Sequence, residues 1–311
     1  MSEHLSVGYF GPAGTFTEEA LLSQPELAEG KLRPYASIPE VLAAVSKGEV
    51  SMGFVPLENS IEGTVNVTLD GLVFDHALYI QREVVIDIHL QLMANPGVSL
   101  QEITKVLSYP HALAQCQSYL RKNLPEAVQE VANSTGDAAR LLAEQPKADV
   151  AAIAPRLAAA LYGLEIVAEN IEDHEDNQTR FVAVSLNSVA PPTGHDKTSI
   201  VCFQKADQPG SLYGILGQFA ARGINLTKLE SRPTKRALGD YCFVIDLDGH
   251  LADEMVGDCL AELHASLADV KVLGSYPVAG GDHVQVRAQA LRAGAVADEW
   301  LDGLRGRING A

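Results

Sequence analysis

The first boundary between strand and helix reads Ser6-Val7-Gly8-Tyr9-Phe10-Gly11-Pro12-Ala13-Gly14-Thr15. Residues 6–10 form a short apolar run that predicts a buried strand. A helix is predicted from Glu18 to Gln24, and Thr15 followed by Glu18 matches a capping box at its start. The first elements of the fold are therefore a strand, a glycine-rich loop and a helix.

The same alternation continues to about residue 185. Strands are predicted at 52–55, 84–93, 106–108, 150–153 and 181–184, and helices at about 65–72, 112–122 and 137–144. Strands that alternate with helices favour parallel sheets covered on both faces. Residues 1–186 are therefore predicted to form an α/β domain.

A linker is predicted at residues 187–197, because Pro191-Pro192-Thr193-Gly194 is the strongest loop signal in the chain. Residues 198–277 then give a strand (199–204), a helix (211–222), two strands (224–231 and 241–247), a helix (253–267) and a strand (271–276). The order βαββαβ is the ferredoxin-like arrangement. Residues 278–311 are left as a C-terminal tail that contains the single tryptophan, Trp300.

The composition excludes some classes of function. Forty acidic and 23 basic side chains give 311 residues a formal charge of -17, and such a field repels phosphate backbones, which argues against nucleic-acid binding. The N-terminus lacks the features of a signal peptide, and no segment approaches the roughly 20 apolar residues that span a bilayer. We expect a cytoplasmic protein with no membrane contact.

The four cysteines are too widely scattered for a disulfide framework or a zinc site. The acidic run Glu172-Asp173-His174-Glu175-Asp176 could ligate a cation, although a solvated acidic loop is the favoured interpretation. We therefore expect neither a metal nor a cofactor.

Three loops between a strand and a helix carry hydroxyl groups. They are residues 8–15, the segment Pro56-Leu57-Glu58-Asn59-Ser60-Ile61-Glu62-Gly63-Thr64, and Asn133-Ser134-Thr135-Gly136-Asp137, in which Ser134 is a plausible helix cap. The glycine spacing of the first loop does not match a dinucleotide-binding fingerprint. A helix N-terminus nevertheless favours anions, and ligands of open α/β sheets bind at the carboxyl ends of strands. We expect these loops to converge on a small anionic ligand.

A fourth segment, Asn177-Gln178-Thr179-Arg180-Phe181, places a hydroxyl, a guanidinium and an aromatic ring side by side. Arginine offers a planar fork that matches carboxylates, threonine donates and accepts through one oxygen, and phenylalanine provides an apolar wall. The segment could hold an anionic, ring-bearing substrate. The alternative is a loop that ends in an ordinary strand.

Taken together, residues 11–16, 59–63, 134–135 and 179–181 resemble the monofunctional prephenate dehydratases of phenylalanine biosynthesis. Glu230-Ser231-Arg232-Pro233, which follows Gly223-Ile224-Asn225-Leu226, resembles the phenylalanine-binding signature of the ACT regulatory domain. The resemblance covers about residues 5 to 277. It implies conversion of prephenate to phenylpyruvate on a two-lobed domain shaped like a periplasmic binding protein.

The resemblance also implies roles for individual residues. Thr179 would hydrogen-bond or protonate the departing hydroxyl, Arg180 would pair with a carboxylate, and Phe181 would pack beneath the site. The implied catalytic residues are Thr179, Arg180, Asn59, Ser60 and Glu62; the implied substrate-binding residues are Ala13, Thr15, Gly63, Thr64, Ser134, Thr135 and Phe181; the implied effector-binding residues are Gly210, Ser211, Leu212, Asn225, Glu230, Ser231, Arg232 and Pro233.

Two segments depart from the family pattern. The chain has Gly210-Ser211-Leu212-Tyr213 where the family usually reads Gly-Ala-Leu-Ala. It also has Tyr109 and His111 where the family more often has His and Gln. Neither change touches Thr179.

The resemblance implies L-phenylalanine as an allosteric effector and a homodimer paired through ACT domains that assembles to a homotetramer. Two alternatives remain at this stage. Arogenate dehydratase uses the same skeleton on an amino-bearing analogue, and a non-catalytic amino-acid sensor could share the same two kinds of domain.

Overall fold

The computed structural model describes residues 5–206, 208–235, 237, 239–280, 300 and 303. The chain divides into two compact units. The first comprises Met1–Leu78 and Val84–Leu186, and the second comprises Tyr79–Glu83 and Asn187–Ala311. The predicted C-terminal tail lies almost entirely outside the described residues.

The first unit has eleven strands and eight α-helices among its described residues. The strands are β1 (Ser6–Phe10), β2 (Lys31–Tyr35), β3 (Met52–Asn59), β4 (Gly63–Thr64), β5 (Tyr79–Asp87, of which 84–87 belong to this unit), β6 (Gln91–Ala94), β7 (Lys105–Ser108), β8 (Val128–Val131), β9 (Val150–Ala154), β10 (Glu165–Ala168) and β11 (Gln178–Ser185). The helices are α1 (Phe16–Leu22), α2 (Pro25–Ala28), α3 (Ile38–Ser46), α4 (Asn66–Asp70), α5 (Pro110–Ala114), α6 (Gln117–Asn123), α7 (Thr135–Glu144) and α8 (Arg156–Tyr162). A π-helical turn, Gly71–Asp75, and a 3₁₀ turn, Leu100–Glu102, complete the unit.

The strands of the first unit form two sheets, each the centre of a lobe. In the first lobe the strand order is β2-β1-β3-β11-β5, and β4 pairs with β3. In the second lobe the order is β10-β6-β9-β7-β8. Strand β9, Val-Ala-Ala-Ile-Ala, is buried at every position, as expected for a strand covered on both faces.

Both sheets are mixed, so the prediction of parallel sheets is only partly correct. Strand β1 runs parallel to β2 and β3, but β11 is antiparallel to β3. Strand β7 runs parallel to β8 and β9, but β6 is antiparallel to both β9 and β10. The strand that carries Thr179 therefore enters the first sheet against the direction of β3.

Two predicted elements are interrupted in the structure. The strand predicted at 84–93 is wrong, because β5 ends at Asp87 and β6 starts at Gln91 in the other lobe's sheet. The helix predicted at about 112–122 is two helices, α5 and α6, broken at Gln115 and Cys116. The first interruption is the passage of the chain from one lobe to the other, and the second is a break between two helices. The pattern of apolar residues records neither of them.

The second unit contains β12 (Asp196–Phe203), α9 (Ser211–Ala221), β13 (Leu226–Pro233), β14 (Tyr241–Asp248), α10 (Glu254–Ser266) and β15 (Asp269–Pro277). The strand order is β13-β14-β12-β15, with all neighbours antiparallel. The predicted two-lobed α/β unit followed by a βαββαβ unit is therefore confirmed. Strand β12 starts at Asp196, so the strand takes in the last two residues of the predicted linker.

Residues 79–83 pack with the second unit at Gly274. Ile80 pairs with Gly274 in parallel register. A Cβ atom at position 274 would lie 2.6 Å from the carbonyl oxygen of Ile80, so only glycine allows this approach. Glu83 also belongs to this unit, and both oxygens of its carboxylate accept from Lys197 Nζ, at 3.2 and 3.1 Å.

Candidate active site

The side chain of Asn59, the last residue of β3, joins two of the predicted segments. Its Nδ2 atom donates to Asn177 Oδ1 at 2.8 Å, to the carbonyl of Gln178 at 3.1 Å and to Thr179 Oγ1 at 2.9 Å. Its Oδ1 atom accepts from the backbone N–H groups of Ile61 and Glu62, each at 2.9 Å. Asn59 therefore shapes the loop after β3 and holds it against the start of β11.

These partners fix the orientation of the Asn59 amide. A carbonyl oxygen only accepts and a backbone N–H only donates, so Nδ2 must face Gln178 and Oδ1 must face the loop. In the contact with Thr179 the amide can only donate, and the threonine oxygen therefore accepts. The single hydroxyl hydrogen of Thr179 is thereby left to donate to another group.

A β-bulge sets which residue lies beside Thr179. In the ladder between β3 and β11, Phe181 pairs with Pro56, whereas Arg180 pairs with Glu58 and Thr179 pairs with Asn59. Leu57 is the additional residue on β3. In an unbroken ladder Glu58 would lie opposite Thr179, so the bulge places an amide rather than a carboxylate next to the hydroxyl.

The polar network continues from the first lobe into the second. Asn177, which is 1% exposed, donates through Nδ2 to Gln115 Oε1 at 3.0 Å. Gln115 lies at the break between α5 and α6, and its Nε2 atom donates to Glu62 Oε1 at 3.5 Å. Glu62 Oε2 in turn lies 3.0 Å from His111 Nδ1. Neutral amides thus connect Thr179 with a helix of the other lobe.

Ser60 ties the same loop to β11 through its own backbone and side chain. Its N–H donates to the carbonyl of Gln178 at 2.8 Å, and its Oγ atom accepts from the N–H of Gln178 at 2.9 Å. Gly63 (φ 79°) and Thr64 form β4, where they pair with Asn59 and Glu58. The predicted residues from 59 to 64 therefore lie together around the start of β11.

Arg180 and Phe181 are held differently from Thr179. Arg180 Nη1 lies 3.7 Å from Glu58 Oε2, and the arginine side chain is 13% exposed. The ring of Phe181 is 2% exposed and stacks on Phe54, with 5.7 Å between ring centroids. Phe181 is therefore part of the core of the first lobe.

A second group of predicted residues gathers where the first loop meets α7. A Cβ atom added to Gly136 would lie 2.7 Å from the carbonyl of Ala13 and 3.0 Å from Thr15 Cγ2, so the start of α7 packs directly against this loop. Tyr162 of α8 donates to the same carbonyl at 3.0 Å. Ala13 and Thr15 of the first lobe thus lie beside the helix that begins at Thr135.

The two predicted helix caps have different outcomes. The Ser134 cap is confirmed, because its Oγ atom accepts from the N–H of Asp137 at 2.9 Å. The capping box of Thr15 and Glu18 is wrong, since Thr15 Oγ1 donates to the carbonyl of Pro12 and Glu18 accepts from the N–H of Gly14. The cis peptide bond before Pro12 is part of this turn.

The described residues contain no group of three or more histidine, cysteine, aspartate or glutamate side chains that could hold a metal ion. Within the predicted acidic loop, Glu172 accepts from the N–H of Leu90 at 2.8 Å, and Asp173 accepts from the N–H of Ser118 at 3.1 Å. These carboxylates have protein partners. Burial raises the pKa of the Cys116 thiol, which therefore stays protonated near neutral pH.

The predicted effector residues lie in the second unit and fall into two places. Gly210, Ser211 and Leu212 line a cavity of about 420 Å³, together with Gln204, Gln208, Tyr213, Leu216 and Phe243. Asn225 donates to Asp248 at 2.9 Å, and Arg232 donates to Glu230 at 2.9 Å along the same strand. Ser231 pairs with the cavity residue Phe243 in the sheet, and Pro233 pairs with Tyr241.

Gln115, Asn177 and Glu58 were not predicted from the sequence as site residues. Asn177 lies two residues before Thr179 in the sequence, and Gln115 lies four residues after His111. Their contacts depend on how β11 and α5 meet in space. The break between α5 and α6 at Gln115 is a local feature that could have pointed to this residue, but the sequence was interpreted as one continuous helix.

The part of the chain that the structure describes has no helix both long and apolar enough to cross a membrane.

Comparisons with known proteins agree with this architecture. A family model described as prephenate dehydratase matches residues 7–189. The prephenate dehydratase of Bacillus subtilis is 38% identical over 281 residues, which cover 88% of this chain and 98% of that protein. The bifunctional chorismate mutase/prephenate dehydratase of Aquifex aeolicus is 42% identical over 279 residues, which cover 90% of this chain and 75% of that protein.

A solved structure extends the likeness to nearly the whole chain. The crystal structure of a prephenate dehydratase from Arthrobacter aurescens, in complex with L-Phe, is 39% identical and has a TM-score of 0.82. The match covers 97% of this chain and 100% of that one. The fold and these relatives define a carbon–oxygen lyase. The chain belongs to the prephenate dehydratase family.

Proposed function

We propose that this protein converts prephenate to phenylpyruvate, carbon dioxide and water. The observation that carries the proposal is the 2.9 Å contact in which Asn59 Nδ2 donates to Thr179 Oγ1. It orients the hydroxyl of Thr179 as a hydrogen-bond donor for an outside group. Membership of the prephenate dehydratase family indicates which reaction is catalysed, and this contact indicates that Thr179 can assist it.

The reaction needs one proton and a stabilised leaving group. When carbon dioxide departs, the electron pair of the broken carbon–carbon bond enters the ring, and the carbon–oxygen bond to the ring hydroxyl breaks with its own pair. The departing oxygen takes up one proton and leaves as water. A threonine hydroxyl is a weak acid, so Thr179 acts mainly by hydrogen-bonding the negative charge that develops on this oxygen.

The substrate is a dianion, and the chain offers it positive groups in both lobes. Arg180 is proposed to pair with a carboxylate through its planar fork. The N-terminus of α7, a ten-residue helix that starts at Thr135, adds free backbone N–H groups and a partial positive charge. The residues proposed to line the cleft between the lobes are Ala13, Thr15, Ser60, Glu62, Gly63, Thr64 and Ser134.

We propose a different role for each of the two units. Residues 1–186 form the catalytic domain, residues 187–197 the linker, and residues 198–277 an ACT domain that binds L-phenylalanine. In support, the related Arthrobacter aurescens structure carries L-Phe, and the second unit has a cavity at Gly210, Ser211 and Leu212. We propose a homodimer through ACT domains, assembled to a homotetramer in the cytoplasm.

The direct test assays purified protein with prephenate and with arogenate. Formation of phenylpyruvate from prephenate, followed by its absorbance, is the expected result. Release of phenylalanine from arogenate with no turnover of prephenate would reassign the substrate. Turnover of neither compound by a folded protein would contradict the enzymatic assignment.

The effector site is tested by titrating L-phenylalanine into Arg232→Ala. We expect wild-type turnover with weakened inhibition, because Arg232 lies on the segment proposed to bind the effector and not in the catalytic unit. Arg222→Ala, a change at the end of α9, is the matched control. Full inhibition of Arg232→Ala at wild-type concentrations of phenylalanine would count against this site.

A further inference from the structure

His111 of the second lobe faces Glu62 of the first. His111 Nδ1 lies 3.0 Å from Glu62 Oε2, and the two side chains are 54% and 42% exposed. The imidazole also stacks on the ring of Tyr109, with 5.4 Å between centroids and 24° between planes. The ring is therefore held on one face while its Nδ1 atom points at the carboxylate.

Both carboxylate oxygens of Glu62 contact polar groups of the second lobe. Oε2 faces His111, and Oε1 accepts from Gln115 Nε2 at 3.5 Å. Gln115 in turn accepts from Asn177, and Asn177 accepts from Asn59, the residue that donates to Thr179. The position of the Glu62 carboxylate is thus coupled to the position of the reactive hydroxyl.

Charge explains why Glu62 needs a cation. A carboxylate beside the binding site of a dianion repels that ligand, and Glu58, the other carboxylate of this loop, already has Arg180 at 3.7 Å. Glu62 has the imidazole of His111. Among the other titratable groups packed around α5, Tyr109 contributes a stacked ring, and Asp173 directs its carboxylate to the N–H of Ser118.

We infer that His111 is a positioning residue which, when protonated, neutralises Glu62 across the cleft and so favours closure of the lobes on a dianionic substrate. The inference rests on the proposed function. It assigns a role to His111, one of the residues by which this chain departs from the family pattern. A glutamine at this position can donate a hydrogen bond to Glu62 but supplies no charge.

The test compares wild-type protein with His111→Gln and His111→Ala over a range of pH. Histidine ordinarily changes charge within the interval from about pH 5 to 8. The wild-type KM for prephenate should rise about two- to fivefold with increasing pH across this interval, an effect the size of a half-exposed ion pair. His111→Gln should remove this rise and keep kcat, whereas His111→Ala should lower kcat as well, because it also removes the polar contact with Glu62.

Binding provides a readout that does not depend on turnover. Calorimetric titration of prephenate into Thr179→Ala, with and without His111→Gln, should reproduce the same pH-dependent difference in Kd. In a Glu62→Gln background, His111→Gln should change neither KM nor Kd, since the two residues act as one pair.

Two results would overturn the inference. One is a pH profile of KM or Kd that is the same for wild type and His111→Gln. The other is an effect of His111→Gln that persists undiminished in the Glu62→Gln background. Failure of the proposed function is a separate outcome, because wild-type protein would then bind prephenate without forming phenylpyruvate, and the calorimetric comparison would still decide the role of His111.

Discussion

The two units of the chain each contain a polar network, and the networks are built from different groups. Around Thr179 the partners are mostly neutral amides and hydroxyls, and Asn59, Gln115 and Thr179 are only partly buried. In the second unit Lys197 and Glu83 form an ion pair at 9% and 6% exposure. Ser199 contacts both Asp246 and Tyr276 at 2.6 Å in the interior of the same sheet.

This difference distinguishes a polar network suited to catalysis from one suited to stabilising the fold. Neutral hydrogen bonds near a surface are exchanged for water or ligand at little net cost. A buried ion pair is costly to break, because either partner alone is an uncompensated charge. The network of the first unit can therefore reorganise around a substrate, whereas that of the second fixes how strand β12 and residues 79–83 pack.

The largest expected effect is on the buried pair. Lys197→Met leaves the Glu83 carboxylate without its cation and should lower the free energy of unfolding by about 3–5 kcal/mol. The double variant Lys197→Met with Glu83→Gln should recover most of this loss, since the amide oxygen can still accept from the N–H of Ala279. Urea denaturation measures both. If Lys197→Met unfolds at the wild-type midpoint, the pair has no structural role.

The next effect is on catalysis. Thr179→Ala should reduce kcat by about 10²- to 10³-fold, or about 2.7–4 kcal/mol, as when a donor to a developing negative charge is removed. Thr179→Ser keeps the hydroxyl and is the matched control. Steady-state kinetics with prephenate checks the prediction. Wild-type turnover in Thr179→Ala would remove this residue from the mechanism.

A smaller effect is expected at Asn59. Asn59→Asp replaces a donor by an acceptor opposite Asn177 Oδ1, the Gln178 carbonyl and Thr179, and the hydroxyl of Thr179 would then donate to the new carboxylate. We expect a loss of about 1–3 kcal/mol in transition-state stabilisation, measured as kcat/KM. Asn123→Asp makes the same chemical change at an exposed position. Equal activity of the two variants would show that the amide does not orient Thr179.

The smallest effect concerns a buried hydroxyl of the first unit outside the polar network. Tyr9 donates to Glu18 at 2.7 Å, and burial, followed by this carboxylate, raises the pKa of Tyr9. In the unfolded chain the Tyr9 phenol ionises at about pH 10, whereas in the folded protein it stays protonated at that pH. The contribution of Tyr9 to the free energy of unfolding is therefore fully present below that pH and is lost as the pH rises above it. Tyr9→Phe should cost about 1 kcal/mol at neutral pH and lessen the alkaline loss. Parallel unfolding curves at high pH for both proteins would contradict this.

Local patterns predicted much of the fold. The strand Ser6–Phe10 has the predicted bounds, the cap at Ser134 is present, and the second unit has the predicted order of elements. Each of these depends on periodicity or on a residue three positions away. The break between Asp87 and Gln91 was missed because apolar residues continue on both sides of it.

The site was predictable as a set of segments but not as a geometry. Thr179 and Asn59 were both predicted as site residues, and the structure places their side chains in contact. The role of Gln115 was missed, because its partners Asn177 and Glu62 lie far from it in the sequence and only the packing of two lobes brings them together. Tertiary contacts of this kind leave no periodic trace in the chain.

The bulge at Leu57 means that the register of β3 against β11 decides which side chain lies beside Thr179. Were the bulge lost at unchanged chain length, the ladder of β3 and β11 would close with Leu57 opposite Arg180, and Glu58 would take the place of Asn59 opposite Thr179. The hydroxyl of Thr179 would then donate its hydrogen bond to the Glu58 carboxylate instead of to a bound ligand. Loss of this bulge at unchanged chain length should therefore be tolerated by folding long before it is tolerated by catalysis.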